Sequence, residues 1–243
     1  RTLALSHFRT PMFIGHTAAA LAGKRAAPRT SLGVLLAAAT FLDLLWPVLL
    51  LAGWERVRIA PGNTAFTPLD FVHYPISHSL LTVLGWSLLA GVLYLLATRY
   101  RFGAWTVGVL VLSHWVLDWL THRPDLPLWP GGPRVGLGMW HSVPLTMIVE
   151  LVIFAVGVAI YLGTTRPRDA VGRWAFWGLI VFYAGVYFAN AFGPPPPDER
   201  SIAWVTLSMW LLPLWAWWAD RHREVTPQMP ETAYGAVEQP AVA

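Results

Sequence analysis

The residues most able to do chemistry lie in one run, LSHWVLDWLTHRPD, at positions 112–125. In a helix His114, Asp118 and His122 follow one another at i, i+4 and i+8, within about 80° of arc on one face. A carboxylate bracketed by two imidazoles is expensive in a segment otherwise fit for lipid, and such groups are kept there when they share an ion or a task. The run reads as half of a metal site. The competing reading is a buried His–Asp hydrogen bond that locks two helices together.

Other polar groups could complete it. Asp43 stands in an apolar stretch with Pro47 four residues on. Proline cannot donate the hydrogen bond that the Asp43 carbonyl would accept, so a kink at Pro47 is expected, with a free carbonyl beside the carboxylate. His78 is flanked by Ser77 and Ser79, which suit helix capping or the support of a metal-bound imidazole. Glu150 sits about two turns into an apolar run and is read as an acid–base group or an imidazole partner. His16 adjoins the small residues Gly15, Ala19 and Gly23, a face that lets another helix approach closely. His122 and His141 fall near span ends, where histidine is cheap, and are read as supporting or substrate-facing groups. Asp70, His73 and Asp125 are read as loop residues, and His7 and His222 as solvated.

The elements that must position these groups follow from composition. Of 243 residues 56% are hydrophobic and 12% charged, against about 25% charged in soluble domains. Apolar stretches near 20 residues recur, as membrane crossing requires. The expected fold is all-α: a polytopic membrane bundle of six long transmembrane helices plus a short N-terminal half-helix at 12–23. The spans are expected at 31–53, 76–99, from 103 through the central run, 144–163, 174–192 and 202–218. Two long loops, 54–75 and 123–142, separate them. Residues 1–11 are read as an N-terminal extension, 12–219 as the transmembrane domain and 220–243 as a disordered cytoplasmic tail. The chain opens on Arg1, Met12 is a candidate natural start, and no secretory signal is expected. With no cysteine, a metal must be held by His, Asp, Glu or backbone oxygen.

Alternating the spans puts Lys24, Arg25, Arg29, Arg99, Arg101, Arg166, Arg168, Arg173, Arg221 and Arg223 on one side. Only Arg56, Arg58, Arg123, Arg134 and Arg200 fall on the other. The positive-inside rule makes the richer side cytoplasmic. A net charge of +4 spread in such clusters calls for no nucleic acid. Trp54, Trp129, Trp140, Trp174, Trp217 and Trp218 are expected as interfacial anchors. His78, His122, His141, His114, Asp118, Glu150 and, slightly deeper, Asp43 then share one depth zone near the outer leaflet.

Gly15-His16, Asp43-Leu-Leu-Trp-Pro47, Ser77-His-Ser-Leu80 and Ser113-His114-x-x-x-Asp118, in that order, resemble the bacterial inner-membrane metal-dependent hydrolase group, described as LexA-binding. The resemblance spans about residues 12–165 and implies metal ligation by His16, Asp43, His78, His114 and Asp118. Many members carry a Pro-Asp-x-Asp segment where this chain has Phe41-Leu-Asp43, which removes one carboxylate and with it support for a second ion.

The resulting expectation is a multi-pass protein of the bacterial inner membrane, a metal-dependent hydrolase acting on a phosphoester or lipid headgroup at the outer leaflet. The mixed shell suits Zn²⁺ ahead of Mn²⁺ or Fe²⁺. Glu150, or Asp118 where it is not a ligand, would take the proton. Membrane lipids are the expected partners. Two other readings stay open: a non-catalytic subunit of a larger membrane assembly with haem or pigment on its histidines, and a permease, which the lack of an inverted repeat weakens.

Overall fold

Lipid offers the backbone no hydrogen-bond partner, so apolar runs of spanning length must close their bonds internally as helices. In the computed structural model, which describes residues 14–226, five helices are long and apolar enough to cross a membrane. A bent pair of shorter apolar helices makes a sixth among the described residues if it is counted as one span. The extension at 1–11 and the tail beyond 226 lie outside the described residues.

The first helix, α1 (Ile14–Ala26), covers about 20 Å and is a half-span. Its close helix contact is one residue away from the expected face. Ala18 meets Gly157, where an added Cβ would stand 2.6 Å from the Ala18 carbonyl oxygen. Gly23 faces Leu110 instead.

The next apolar stretch is broken. Helices α2 (Leu32–Ala39) and α3 (Phe41–Leu51) meet at 58°. The expectation of a kink at Pro47 is therefore corrected: Pro47 lies inside α3, and the bend is at Thr40. Thr40 Oγ1 donates to the Leu36 carbonyl at 2.8 Å, a back-bond that bends helices. The bend has two products. Asp43 enters the first turn of a new helix, where the dipole favours a carboxylate, and the Ala39 carbonyl is released from the ladder.

The loop at 54–75 holds an antiparallel hairpin, β1 (Arg56–Ile59) with β2 (Leu69–His73). The third span begins later than expected. α4 (Leu80–Thr98) starts after the N-cap Ser79, which leaves Pro75–His78 as a turn. α5 (Arg101–Thr121) packs against α4 and leads to a second short pair, β3 (Leu126–Pro127) with β4 (Arg134–Val135). α6 (Val143–Thr164), β5 (Thr165–Pro167) and α7 (Ala170–Phe192) follow. The last span is α8 (Glu199–Leu207), a 3-10 turn, and α9 (Leu211–Arg221). The tight turn lies just before Pro213, whose missing N–H and ring disturb the preceding turn of helix.

The residues from Asp220 to Thr226, assigned to the tail on sequence, are ordered. α9 continues through Asp220, and β6 (Arg223–Val225) pairs with β5. The basic segments meet at this end: Lys24 pairs with Asp220, Arg166 with Glu224, and Arg29 lies over Tyr100. α4 shows Leu81, Leu88 and Leu96 to the outside, as a helix at the lipid edge should. Trp54, Trp129, Trp174, Trp217 and Trp218 are exposed. Trp140 is not an anchor: it is buried, with its ring 4.2 Å from that of His122.

Candidate metal centre

Four separate pieces of chain bring five side chains to one point. α1 supplies His16, α3 supplies Asp43, the turn before α4 supplies His78, and α5 supplies His114 and Asp118. The ligand atoms of His16, His114 and Asp118 all lie within 4.8 Å of one another, as do those of Asp43, His78 and His114. His114 belongs to both sets. Its Nε2 is 3.3 Å from Asp118 Oδ2 and 3.7 Å from Asp43 Oδ1. His78 Nε2 is 3.7 Å from Asp118 Oδ2 and 3.8 Å from Asp43 Oδ1. His16 Nε2 reaches Asp118 Oδ1 at 3.2 Å, and its ring stacks on that of His114 at 3.7 Å.

Supporting groups fix which nitrogen faces inward. The Ala39 carbonyl released at the bend can only accept, so His114 Nδ1 donates to it at 2.8 Å, and in the neutral ring Nε2 is the nitrogen with the lone pair. On His78 the same result comes through a relay. Glu55, buried in the loop after α3, accepts from the backbone N–H groups of Ile76 and Ser77, each at 2.8 Å. It also accepts from Ser77 Oγ at 2.6 Å. With its proton committed there, Ser77 Oγ accepts from His78 Nδ1 at 2.6 Å. Trp115 Nε1 holds the His78 carbonyl at 3.0 Å.

Does a divalent cation fit? The donor set is three imidazoles and two carboxylates, and no lysine or arginine pairs with Asp43 or Asp118 among the described residues. His114 Nε2 and Asp118 Oδ2 are buried, and neither has a hydrogen bond. An unprotonated Nε2 aimed at two carboxylates sets lone pairs against one another. A cation in the gap, or a proton on Nε2, removes that conflict. Two buried α5 atoms without hydrogen bonds, facing donor groups from α1, α3 and the turn before α4, with the rings of His78 and His114 oriented from behind, fit a metal ion.

The remaining sequence candidates take other positions. Glu150 on α6 is fully buried and interacts electrostatically with Asp118 and with the Tyr187 hydroxyl, without a well-formed hydrogen bond to either. Ser77 belongs to the relay. Ser79 caps α4, accepting from Thr82 N, and does not reach the cluster. His122 is outside it too: His122 Nδ1 bonds Asp125 Oδ1 at 2.9 Å beneath Trp140 and Tyr74. His141 is exposed at the end of a 3-10 turn. Asp70 pairs with Arg58 and Arg123, and His222 with Asp169. His7 lies outside the described residues. Glu55 escaped the sequence reading, although an acid next to Trp54 at the end of an apolar span is a visible signal.

Apolar helices that bury this many ionisable groups around one point define a class: a polytopic helical protein of the inner membrane organised around a His/carboxylate cluster. Within that class the chain belongs to the YdjM inner membrane protein family, which matches residues 4–192 and is the inner-membrane family its motifs resemble. No curated protein and no solved structure matches it.

Proposed function

We propose that this protein is a metal-dependent hydrolase of the membrane, with a lipid phosphoester as substrate. The convergence of His16, Asp43, His78, His114 and Asp118 on one gap is the observation that carries the reading. These five would hold the ion, with Zn²⁺ the best match to a shell of nitrogen and carboxylate oxygen. Once bound, a divalent ion supplies Lewis acidity and lowers the pKa of water to about 7.

The chain's own groups do the rest. The Ala39 carbonyl and the Glu55–Ser77 pair hold the Nδ1 protons of His114 and His78 on the outward side, so that Nε2 of each neutral imidazole is the nitrogen offered to the gap. Glu150, close enough to Asp118 to feel its charge, would carry the proton from water, as the water oxygen bonds to phosphorus, to the leaving alcohol oxygen as the ester P–O bond breaks. The surrounding apolar helices keep bulk water out. The pigment-subunit reading fares worse here, because Asp43 and Asp118 fill the space in front of His114 Nε2 that an axial ligand would need.

Elemental analysis of detergent-purified protein tests the metal. Wild type is expected to hold about one divalent ion per chain, with His114→Ala and Asp118→Asn each losing most of it. Equal content in all three would end the reading. Turnover of phosphoester lipid in vesicles, lost in Glu150→Gln while the ion is retained, tests the chemistry.

A further inference from the structure

Helices α1, α5 and α6 do not close against one another along their full length. Between them runs a groove of about 490 Å³. Its floor is the small-residue face of α1, with Gly15, Ala19 and Ala22, and its walls include Leu117 of α5 and Val156 of α6. The contact of Ala18 with Gly157 sets α1 back between its neighbours. The hydroxyl that borders the groove, Ser113 Oγ, is spent on the Leu110 carbonyl at 2.8 Å. Val109, Val116, Val152 and Val156 on the walls are exposed, on helices long and apolar enough to cross a membrane.

Position and direction say what occupies it. At one end Gly15 immediately precedes His16, and Leu117 immediately precedes Asp118, so the groove starts beside the cluster. From there it descends past Val109, Ala22 and Ile160 toward the basic end of the bundle, about 12 Å along α5. A lipid whose headgroup lies on the outer side points its chains the same way. Apolar walls with no free polar atom do not hold water, and the medium around these spans is acyl chain.

We propose that the groove seats one acyl chain of a membrane phospholipid and thereby brings that lipid's phosphoester to the His/Asp cluster. The seating stands on the groove alone; the presentation for cleavage rests on the hydrolase reading. Gly15 and Ala19 are then small for a reason other than helix contact: a larger side chain there fills the channel.

The test uses the full chain in phosphatidylethanolamine–phosphatidylglycerol vesicles that contain a phospholipid with a diazirine at the end of one acyl chain. After irradiation, adducts are expected on Ala22, Val156 and their neighbours in the groove. They should fall roughly ten-fold in Ala22→Phe and in the milder Ala19→Leu, while Leu96→Phe on the lipid face of α4 changes nothing. Adducts spread evenly over α4 and the groove would overturn the proposal. So would labelling by a polyprenyl probe but not by the acyl probe. Groove labelling in a chain that binds no metal would leave the seating intact and sink the hydrolase reading. A metal-loaded chain without groove labelling would do the reverse.

Discussion

The relay from Glu55 to His78 can be tested without disturbing the fold. In Glu55→Gln the side-chain carbonyl still accepts from the backbone N–H groups of Ile76 and Ser77, but the amide now donates to Ser77 Oγ. Ser77 must then turn its proton toward His78 Nδ1, which moves the imidazole proton to Nε2 and blocks the ligand atom. Metal affinity is expected to fall about 10–100-fold, the usual cost of losing an orienting partner, with thermal stability nearly unchanged. Unaltered metal content in Glu55→Gln would show that the relay does not set the tautomer. Asp125 makes a second residue-scale case. Burial pushes its carboxyl up, but hydrogen bonds from His122, Arg123 and Tyr74 outweigh this and hold it below the ordinary carboxylate value. A lowered folded value means stability that is fully present above the unfolded value of about 4 and lost as pH falls from there through the lower folded value. Thermal denaturation in detergent from pH 6 to pH 3 should therefore show a shallower acid loss for Asp125→Asn than for wild type.

At the scale of elements, the cluster depends on how α1 and the α2–α3 bend are held. Gly157 admits the Ala18 backbone so closely that Gly157→Val must push α1 away, and overpacking of this kind costs about 1–3 kcal/mol. A lower melting temperature together with weaker metal retention is expected, because α1 carries His16. Normal metal binding by a destabilised Gly157→Val would mean that α1 positions nothing in the site. The spans were legible because roughly 20 apolar residues between basic clusters admit few other structures in a membrane. The bend was not. Proline at 47 is the loud local signal, whereas Thr40 acts through its own hydroxyl, and the Ala39 carbonyl finds its partner in His114, 75 positions on. Depth alone also grouped too much. His122, at the outer end of α5, shares a face with His114 and Asp118 on a helical wheel, but the chain leaves the helix there and Asp125 takes the ring. Glu55 and Ser77 meet only because the Pro75–His78 turn delays α4, and no periodicity announces a turn of that kind.

Over the whole molecule, the two ends of the bundle do different work. The end with the cluster is built from groups whose lone pairs converge. The opposite end is tied by Asp220, whose Oδ2 accepts from Lys24 Nζ at 2.7 Å and Leu32 N at 3.0 Å, and whose Oδ1 accepts from Tyr161 at 2.7 Å. One carboxylate thus joins α1, α2, α6 and α9, and Lys24 also donates to the Thr30 carbonyl. Because α1 is only a half-span, this tie at its far end helps to fix where His16 stands at its near end. Asp220→Asn leaves the Lys24 ammonium buried without its counter-charge, which typically costs about 3–5 kcal/mol. Adding Lys24→Met removes the stranded charge, and replacing a buried pair by apolar groups is often neutral. The double variant should therefore recover most of the melting temperature lost in the single one. Metal retention separates the two roles of the tie: if α1 needs the polar link for its register, the double variant stays stable yet binds the ion less tightly than wild type. Full recovery of both stability and metal content would show that packing of Ala18 on Gly157 alone holds His16 in place.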